Sequence, residues 1–435
     1  MGRGFIVEDA VEGYLSKLCE QQAGPVTGLL IGQSSSQRDF VIMATRTPQK
    51  EDSTAAPGTS LDKEWVTEHA RQVFRMLPGG LSVLGVFIIT DNDGKDTLTT
   101  LRQFSSLNAV HVTFQKYSSF FFSSVCFQGL RTDLRPHVDM KCSDRLYCYH
   151  SYHYHWLFQS VAKPADWKYQ SGVCSSWTTV SCCVNVDMLV PLPNNRTSTE
   201  NMDTCLKGLK VWANQINSGV CLIDGRQLPE DTELTAGQVR KQSAKSKKKT
   251  LKRLLTKLCL GDEQRLTDVV QQCGGSVSVR GSIHSRAYLH SNKPKAKLAE
   301  KLLKRDVVST VATRVQMLLE EMLTSEEEKK KFFLLCVPRR VFCPVKTSGP
   351  VCVCDYQFSD EGLCELTDRL KEMLDMDAAE EDLDTRQEST LQTIHSSITE
   401  GLERVCVCEC VCVAIATAVA MLAAAAASML YLSDV

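Results

Sequence analysis

Leu81-Ser-Val-Leu-Gly-Val-Phe-Ile-Ile89 is the stretch of this chain that most strongly specifies its local structure. Its residues are mostly aliphatic or aromatic, and the turn signal Pro78-Gly79-Gly80 precedes it. Such an apolar run after a turn signal predicts a β-strand that is buried on both faces. A similar run, Val26-Thr-Gly-Leu-Leu-Ile31, predicts a second buried strand, and Asp39–Thr45 predicts the returning strand of a hairpin.

Helical and extended patterns alternate along the rest of the chain. Phe5–Leu18 predicts a strand followed by a helix, and the apolar spacing of Leu61–Met76 predicts a helix. Further strands are predicted at Trp177–Val190 (one long strand or two short ones), at Gly219–Asp224, at Ser276–Ile283 with Arg286–Leu289 as a hairpin, at Phe332–Val345 and at Val351–Phe358. Further helices are predicted at Cys205–Gln215, Lys297–Leu323 and Glu361–Leu374. This mixture predicts an α+β body.

Composition limits the classes of protein to which the chain can belong. It has 435 residues, of which 43% are hydrophobic and 23% are charged, and its formal net charge is −1. This length is typical of two or three globular units, and the nearly neutral net charge argues against a nucleic-acid-binding protein. The 20 cysteines are scattered and Met1–Asp9 has no apolar signal core, so we expect reduced thiols rather than a disulfide framework. We interpret the basic run Lys245–Lys249 as part of a solvated loop rather than as a nuclear localisation signal.

The stretch from Val411 to Leu432 contains no charged side chain. As a helix its 22 residues would extend about 33 Å, which matches the hydrocarbon core of a bilayer. We therefore expect a tail-anchored protein with a single membrane span and a cytosolic body; the alternative is a buried Ala-rich core helix. In the cytosol the sequon Asn195-Arg196-Thr197 would stay without a glycan.

Two further segments differ in composition from the body. Residues 94–160 are crowded with aromatic residues among Ser, His and Cys, with no lasting period, so we expect them to be poorly ordered or foreign to the native fold. Residues 376–410 are acidic and rich in Ser and Thr, which predicts a flexible stalk. The predicted organisation is 1–93 as the first half of the body, 94–160 as the atypical segment, 161–375 as the remainder of the body, 376–410 as the stalk and 411–432 as the span.

Cysteines alternate mostly with valine immediately before the span. Cys406, Cys408 and Cys410 lie too close together in sequence for a tetrahedral zinc site, which needs two or more residues between paired ligands. One interpretation is an apolar strand face or low-complexity drift. The functional alternative is palmitoylation of these three cysteines, which would strengthen a moderately hydrophobic anchor.

Gly28-Leu-Leu-Ile-Gly32 and Leu84-Gly-Val-Phe-Ile-Ile-Thr90, in the order hairpin, helix and strand, resemble the start of an MPN (JAMM) domain. In active members of that family a His-x-His and an Asp bind zinc, and a Glu handles the proton of the zinc-bound water. In this chain Pro25 stands at the Glu position, and Ile88 and Thr90 stand at the His positions. The resemblance therefore implies a pseudo-MPN fold with no metal, no cofactor and no catalytic residue.

A different group of residues has the JAMM spacing. His153-Tyr-His155 is followed, after about ten residues, by Asp166, so a zinc hydrolase can be proposed as an alternative. Lys163 stands where that motif has a Ser, and the histidines do not follow a buried strand. Both departures favour the other interpretation, an exposed Tyr/His cluster.

Taken together, longer motifs resemble the odorant response abnormal protein 4 family. They are Gly28–Gln33 with Ser35-Ser36-Gln37, Thr45–Pro48, Trp65 with Thr67–Ala70, Arg75–Leu81 with Val83–Thr90, Pro164–Gly172, Arg286–Lys295, Arg340-Val-Phe342 and Cys354-Asp-Tyr356, followed by the C-terminal span. The resemblance covers roughly 1–93 and 161–432. It implies an endoplasmic-reticulum membrane protein that supports the folding or trafficking of a subset of G-protein-coupled receptors. It also implies a partner, the cysteine protease of the ubiquitin-fold modifier, which has an MPN-like domain.

Three functions remain open on the sequence alone. The first is a non-enzymatic, membrane-anchored adaptor whose body pairs with an MPN-like domain of the protease. The second is a hydrolase that uses zinc on His153, His155 and Asp166, or a Cys/His pair. The third is a receptor chaperone whose small residues Ala423–Ser428 pack against client helices in the lipid bilayer.

Overall fold

A computed structural model describes part of the chain as a mixed α+β fold. The described residues are 4–21, 26–35, 37–49, 62–90, 123–128, 137–140, 163–164, 166–192, 209–223, 225–234, 253–259, 275–291, 293–324, 338–347 and 349–388. The positions Pro25, His153, His155 and Asn195, the run Lys245–Lys249, the three cysteines before the span and the span itself lie outside them.

The first sheet has eight strands in the spatial order β7-β6-β5-β4-β2-β3-β1-β8. They are β1 (Gly4–Glu8), β2 (Val26–Ser34), β3 (Arg38–Arg46), β4 (Ser82–Thr90), β5 (Ser123–Gln128), β6 (His137–Met140), β7 (Lys163–Pro164) and β8 (Asp166–Gln170). β2 pairs antiparallel with both β3 and β4, whereas β1 pairs parallel with β3 and β8. The three strands predicted from apolar runs are confirmed as its centre.

Helices cover both faces of this sheet. Helix α1 (Asp9–Gln21) buries Val11 and Leu15 against one face, and helix α2 (Lys63–Arg75) buries Val66 and Val73 against the other. Helix α2 begins where the Asp62 carboxylate accepts a hydrogen bond from the backbone N–H of Trp65 at 3.0 Å. The central strands are apolar on both faces because both faces are covered.

Two strands of the first sheet lie inside the segment 94–160. Strand β5 pairs parallel with β4, and β6 pairs antiparallel with β5. The sequence patterns did not predict these two strands. The physical reason is that the free edge of β4 offers backbone hydrogen bonds to any extended segment, which local periodicity does not reveal.

The second sheet has four strands in the order β10-β11-β9-β12. They are β9 (Thr178–Leu192), β10 (Val220–Ile223), β11 (Arg253–Cys259) and β12 (Gly275–Leu289). β9 and β12 are both 15 residues long and pair over their full length. The predicted hairpin between Ser276–Ile283 and Arg286–Leu289 is therefore wrong, because pairing with β9 continues through the supposed turn.

Helices α3 (209–218) and α4 (Ala296–Thr324) cover one face of the second sheet. Helix α4 has 29 residues and confirms the predicted long helix. One buried side chain recurs at every fourth position of this helix and packs against β9 and β12; the four are Leu303, Val307, Val311 and Val315.

A hairpin and a short helix complete the body. Strands β13 (Arg339–Pro344) and β14 (Cys352–Gln357) pair antiparallel, and helix α5 (Leu363–Leu374) follows them. Residues 376–388, predicted as the first part of the stalk, instead pack on the body: Leu383 is buried, and Asp384 bridges Phe342. The acidic composition did not indicate this packing, because the Glu388 carboxylate is buried against the Arg314 guanidinium and the Arg340 backbone N–H.

Among the helices of the described ranges, none combines the length and the apolar character that a membrane crossing requires. The predicted span Val411–Leu432 stays a prediction.

Candidate functional site

At the β4 position that the resemblance to an MPN domain aligns with a zinc ligand, this chain has an apolar side chain. Ile88 is 3% exposed and belongs to the core between the first sheet, α2 and α5. It lies on the same strand face as Val86, which is fully buried. An aliphatic side chain supplies no lone pair to a metal ion. Thr90 is the last residue of β4.

The one described member of the alternative zinc cluster lies at the surface. Asp166 begins the edge strand β8, pairs with Gly4 and forms an exposed ion pair with Lys168 at 3.5 Å. Within the described ranges no group of three His, Cys, Asp or Glu side chains could hold a metal ion.

Three buried thiols are poor nucleophiles. Burial, with a contribution from the Glu8 carboxylate, raises the pKa of Cys174 to about 12. Burial also raises the pKa of Cys343 to about 11 and that of Cys354 to about 11. Because the thiolate is the reactive form, these cysteines remain protonated and inert at neutral pH.

The residues of the family motifs meet at a junction between the two sheets. Strand β12 lies at the edge of the second sheet, and its outward backbone groups bond to the first half of the chain. The Gln33 amide donates to the carbonyls of Gly80 at 2.8 Å and Tyr288 at 2.7 Å, and its carbonyl oxygen accepts from His290 N at 2.7 Å. Gly79 exchanges backbone hydrogen bonds of 2.9 and 2.8 Å with Arg286 and Tyr288. An edge strand paired in this way is closed to other strands.

Two buried carboxylates continue the same row of hydrogen bonds. Asp306 accepts from the backbone N–H of Arg286 at 2.9 Å and forms a two-pronged ion pair with Arg340 at 2.8 and 3.0 Å. Glu388 accepts from the backbone N–H of His284 at 2.7 Å and from the Arg314 guanidinium at 2.7 Å. The junction therefore uses ionic groups to terminate a sheet edge, which is a structural role.

A second contact set holds α5 against the first sheet. The carbonyl of Met373 accepts from His69 Nε2 at 2.8 Å and from the Thr45 hydroxyl at 3.3 Å. The Trp65 indole donates to the carbonyl of Pro48 at 2.8 Å. The motifs Thr45–Pro48 and Trp65–Ala70 are thus explained by packing. Sequence reasoning did not identify the contacts of Thr45 and His69, because Met373 lies about 300 residues away from both.

Gly80 is required by both its backbone conformation and its surroundings. Its φ is +85°, and a Cβ atom there would lie 2.2 Å from the carbonyl oxygen of Tyr288. We expect Gly80→Ala to lower the free energy of unfolding by about 3 kcal/mol. Gly225 is the matched control, because its φ is +77° but a Cβ there meets nothing within 4 Å. Chemical unfolding should show a loss of only about 1 kcal/mol for Gly225→Ala; equal losses for both variants would contradict the steric argument.

His69 makes the stability of the body depend on pH. Its Nε2–H donates to Met373, and among the described residues none pairs with its buried Nδ1 atom. Burial lowers the pKa of His69 below its ordinary value of 6.5. The unfolded chain therefore binds the proton more readily, so stability is complete above about pH 6.5 and falls as the pH decreases from there.

The test compares the wild type with His69→Gln, which keeps a donor for Met373 but does not titrate. Between about pH 7.5 and about pH 5.5 the thermal midpoint of the wild type should fall more steeply. His290, whose pKa burial also lowers, contributes equally to both proteins. Parallel slopes would show that His69 is not the titrating group.

The family model and the sequence relatives agree on one family. The family model "ODR4-like: Odorant response abnormal 4-like" matches residues 28–385. "Protein odr-4 homolog" of Homo sapiens is 40% identical over 416 residues, which cover 92% of this chain and 88% of that protein. The Mus musculus protein of that name is 39% identical over 417 residues, covering 92% and 89%. The Dictyostelium discoideum protein is 24% identical over 311 residues, covering 68% and 61%.

Among solved structures, "Crystal structure of UfSP from C.elegans" aligns with a TM-score of 0.42 and 10% identity. The alignment covers 86% of this chain and 56% of that chain, so the chain spans little more than half of its length. The family model covers residues 28–385, and the Homo sapiens and Mus musculus relatives cover 92% of the chain at 40% and 39% identity. The chain belongs to the ODR4-like family, as its motifs predicted.

Proposed function

We propose that this chain is a non-enzymatic adaptor anchored in the endoplasmic-reticulum membrane by Val411–Leu432, with most of its residues in the cytosol. Its α+β body acts as a pseudo-MPN scaffold that binds the cysteine protease of the ubiquitin-fold modifier through that protein's MPN-like domain. Through this complex it supports the folding or trafficking of a subset of G-protein-coupled receptors. Membership of the ODR4-like family supports this role.

The observation that carries the proposal is Ile88, buried in the core at a position where an active MPN domain has a zinc ligand. A scaffold that keeps the strands but fills the ligand position with an aliphatic group retains surface for binding and loses the metal chemistry. The inert thiols of Cys174, Cys343 and Cys354 also support a non-enzymatic role. We therefore expect the body to bind a partner protein without catalysing a reaction.

An anchor turns binding into localisation. A span that inserts in the bilayer raises the local concentration of whatever the body binds, and the segment between body and span sets the reach. The body ends at Glu388, which is held by Arg314 and Arg340, so the reach belongs to residues 389–410.

The decisive experiment separates binding from anchoring. In cells that lack the native protein, a variant without residues 411–432 should still co-purify with the protease but leave it in the soluble fraction. A variant whose span is replaced by an unrelated apolar segment of equal length should return the protease to membranes. If the protease stays on membranes without the span, or does not co-purify with either variant, the adaptor role is wrong.

The replaced span also distinguishes the adaptor from a direct receptor chaperone. If the body does the work, the delivery of client receptors to the cell surface should be the same with the native span and with the unrelated one. A loss of delivery with the protease correctly localised would favour contacts between client helices and Ala423–Ser428.

A further inference from the structure

A cysteine and a histidine lie side by side on the second sheet. Strands β9 and β12 pair so that Cys183 stands directly opposite His284. Cross-strand partners on one face of an antiparallel pair place their side chains in contact. The Cys183 Sγ atom lies 3.4 Å from His284 Nδ1, within hydrogen-bonding range for sulfur.

The imidazole is held rigidly while the thiol faces solvent. His284 is 3% exposed, and its backbone N–H donates to the Glu388 carboxylate at 2.7 Å. Its ring packs edge-on against Phe342, with 5.5 Å between ring centroids. Cys183, in contrast, is exposed. The base is thus positioned in advance, and the nucleophile can be reached by a molecule from solution.

The surroundings of four other described cysteines disfavour the thiolate. Cys364 is also exposed, but its Sγ atom lies 2.9 Å from the Glu365 carboxylate, and this contact raises the pKa of Cys364. Burial raises the pKa of Cys174, Cys343 and Cys354. Among the exposed cysteines of the described ranges, Cys183 is the one with an imidazole beside its sulfur.

We propose that Cys183 and His284 form a thiol–imidazole pair that reacts by thiol–disulfide exchange with small soluble disulfides of the glutathione class. His284 takes the thiol proton, and the Cys183 thiolate attacks one sulfur of the disulfide. A bond forms between Cys183 Sγ and that sulfur, and the original S–S bond breaks. The second glutathione leaves as a thiolate and takes the proton from the imidazolium, so Cys183 is oxidised and one glutathione is reduced.

The site stands apart from the adaptor role. It uses neither the MPN-like ligand position at Ile88 nor the span, and it makes the body open to modification by the redox state of its surroundings. Since Glu388 and Phe342 both touch His284, a glutathione on Cys183 would sit next to the point at which the described body ends.

The test uses the full-length protein in mild detergent with glutathione disulfide, and peptide mass spectrometry reads each cysteine separately. At neutral pH Cys183 should be modified at least about tenfold faster than Cys364. His284→Phe keeps a ring against Phe342 but removes the base, and should slow Cys183 about tenfold without changing Cys364. Glu365→Gln is the matched control on the other thiol and should speed Cys364.

A measurement on the unaltered protein makes the test independent of those variants. Between about pH 8 and about pH 6 the rate at a lone thiol falls about tenfold per pH unit, whereas a thiol paired with imidazole should lose much less. If Cys183 follows the same pH profile as Cys364, or reacts no faster than Cys364, the proposal is overturned. A rate at Cys183 that stays high in folded His284→Phe would overturn it as well.

Discussion

Replacing Arg340 by Met should remove about 3–5 kcal/mol from the free energy of unfolding, one of the two largest effects that we expect from this chain. Arg340 is 1% exposed, and its guanidinium pairs with Asp306 through two hydrogen bonds of 2.8 and 3.0 Å. Without it the Asp306 carboxylate stays buried and loses the guanidinium that now binds both of its oxygens. Dispersion contacts of the methionine do not offset the cost of an uncompensated buried charge.

Substituting Asp306, alone and together with Arg340, tests whether the loss of stability comes from the ion pair. Asp306→Asn leaves Arg340 buried and uncompensated, so it should cost a similar amount. The double variant Arg340→Met with Asp306→Asn removes both charges yet keeps an acceptor for the Arg286 N–H, which Asp306 now binds at 2.9 Å. It should be more stable than either single variant.

The measurement is chemical unfolding of the full-length chain in detergent. The exposed pair Lys295–Asp231, whose atoms lie 2.8 Å apart, is the matched control, and Lys295→Met should leave the unfolding midpoint unchanged. Strictly additive losses in the double variant would mean that Arg340 and Asp306 act through separate contacts and not as a pair.

The second large effect concerns the predicted span. Two arginines at Ala423 and Ala425 should abolish membrane association, since each arginine near the centre of a span disfavours insertion by about 3 kcal/mol. The native stretch is rich in alanine, which is only weakly hydrophobic, so it has little insertion free energy in reserve. The variant with both arginines should therefore appear in the soluble fraction after alkaline carbonate extraction.

Leucines at the same two positions form the matched control, and that variant should remain with the membranes. Protease treatment of intact microsomes then reports the orientation, because a cytosolic body is digested and a lumenal one is protected. A glycan on Asn195 would place the body in the lumen and contradict the proposed localisation. Carbonate resistance of the arginine variant would show that another part of the chain holds it to membranes.

Much of the fold could be predicted from local sequence. The structure has the predicted elements β2, β3, β4, α4 and α5 at the predicted places. Each was recognised from a local signal, either a run of apolar residues or apolar residues spaced three to four positions apart. The errors occur where non-local pairing decides. β12 continues through Arg286 because β9 lies beside it, and β5 exists because β4 offers a free edge.

The candidate sites were less predictable than the elements. The absence of zinc ligands at Ile88 and Thr90 can be read from the residue types alone. The pairing of Cys183 with His284 cannot be predicted from the residue types, because the two residues are 101 positions apart and meet only through the register of two long strands. The same holds for Glu388, which is buried although it lies inside the segment predicted to be the stalk.

By itself the sequence determined the family, the mixed α+β class and the apolar character of Val411–Leu432, since each depends on residue types along one continuous stretch. Only the tertiary structure decided why Gln33 and Tyr288, 255 residues apart, belong to the same site. The physical reason is that an apolar pattern specifies which residues are buried. The choice of partner for each buried polar group depends on which distant segments fold against it.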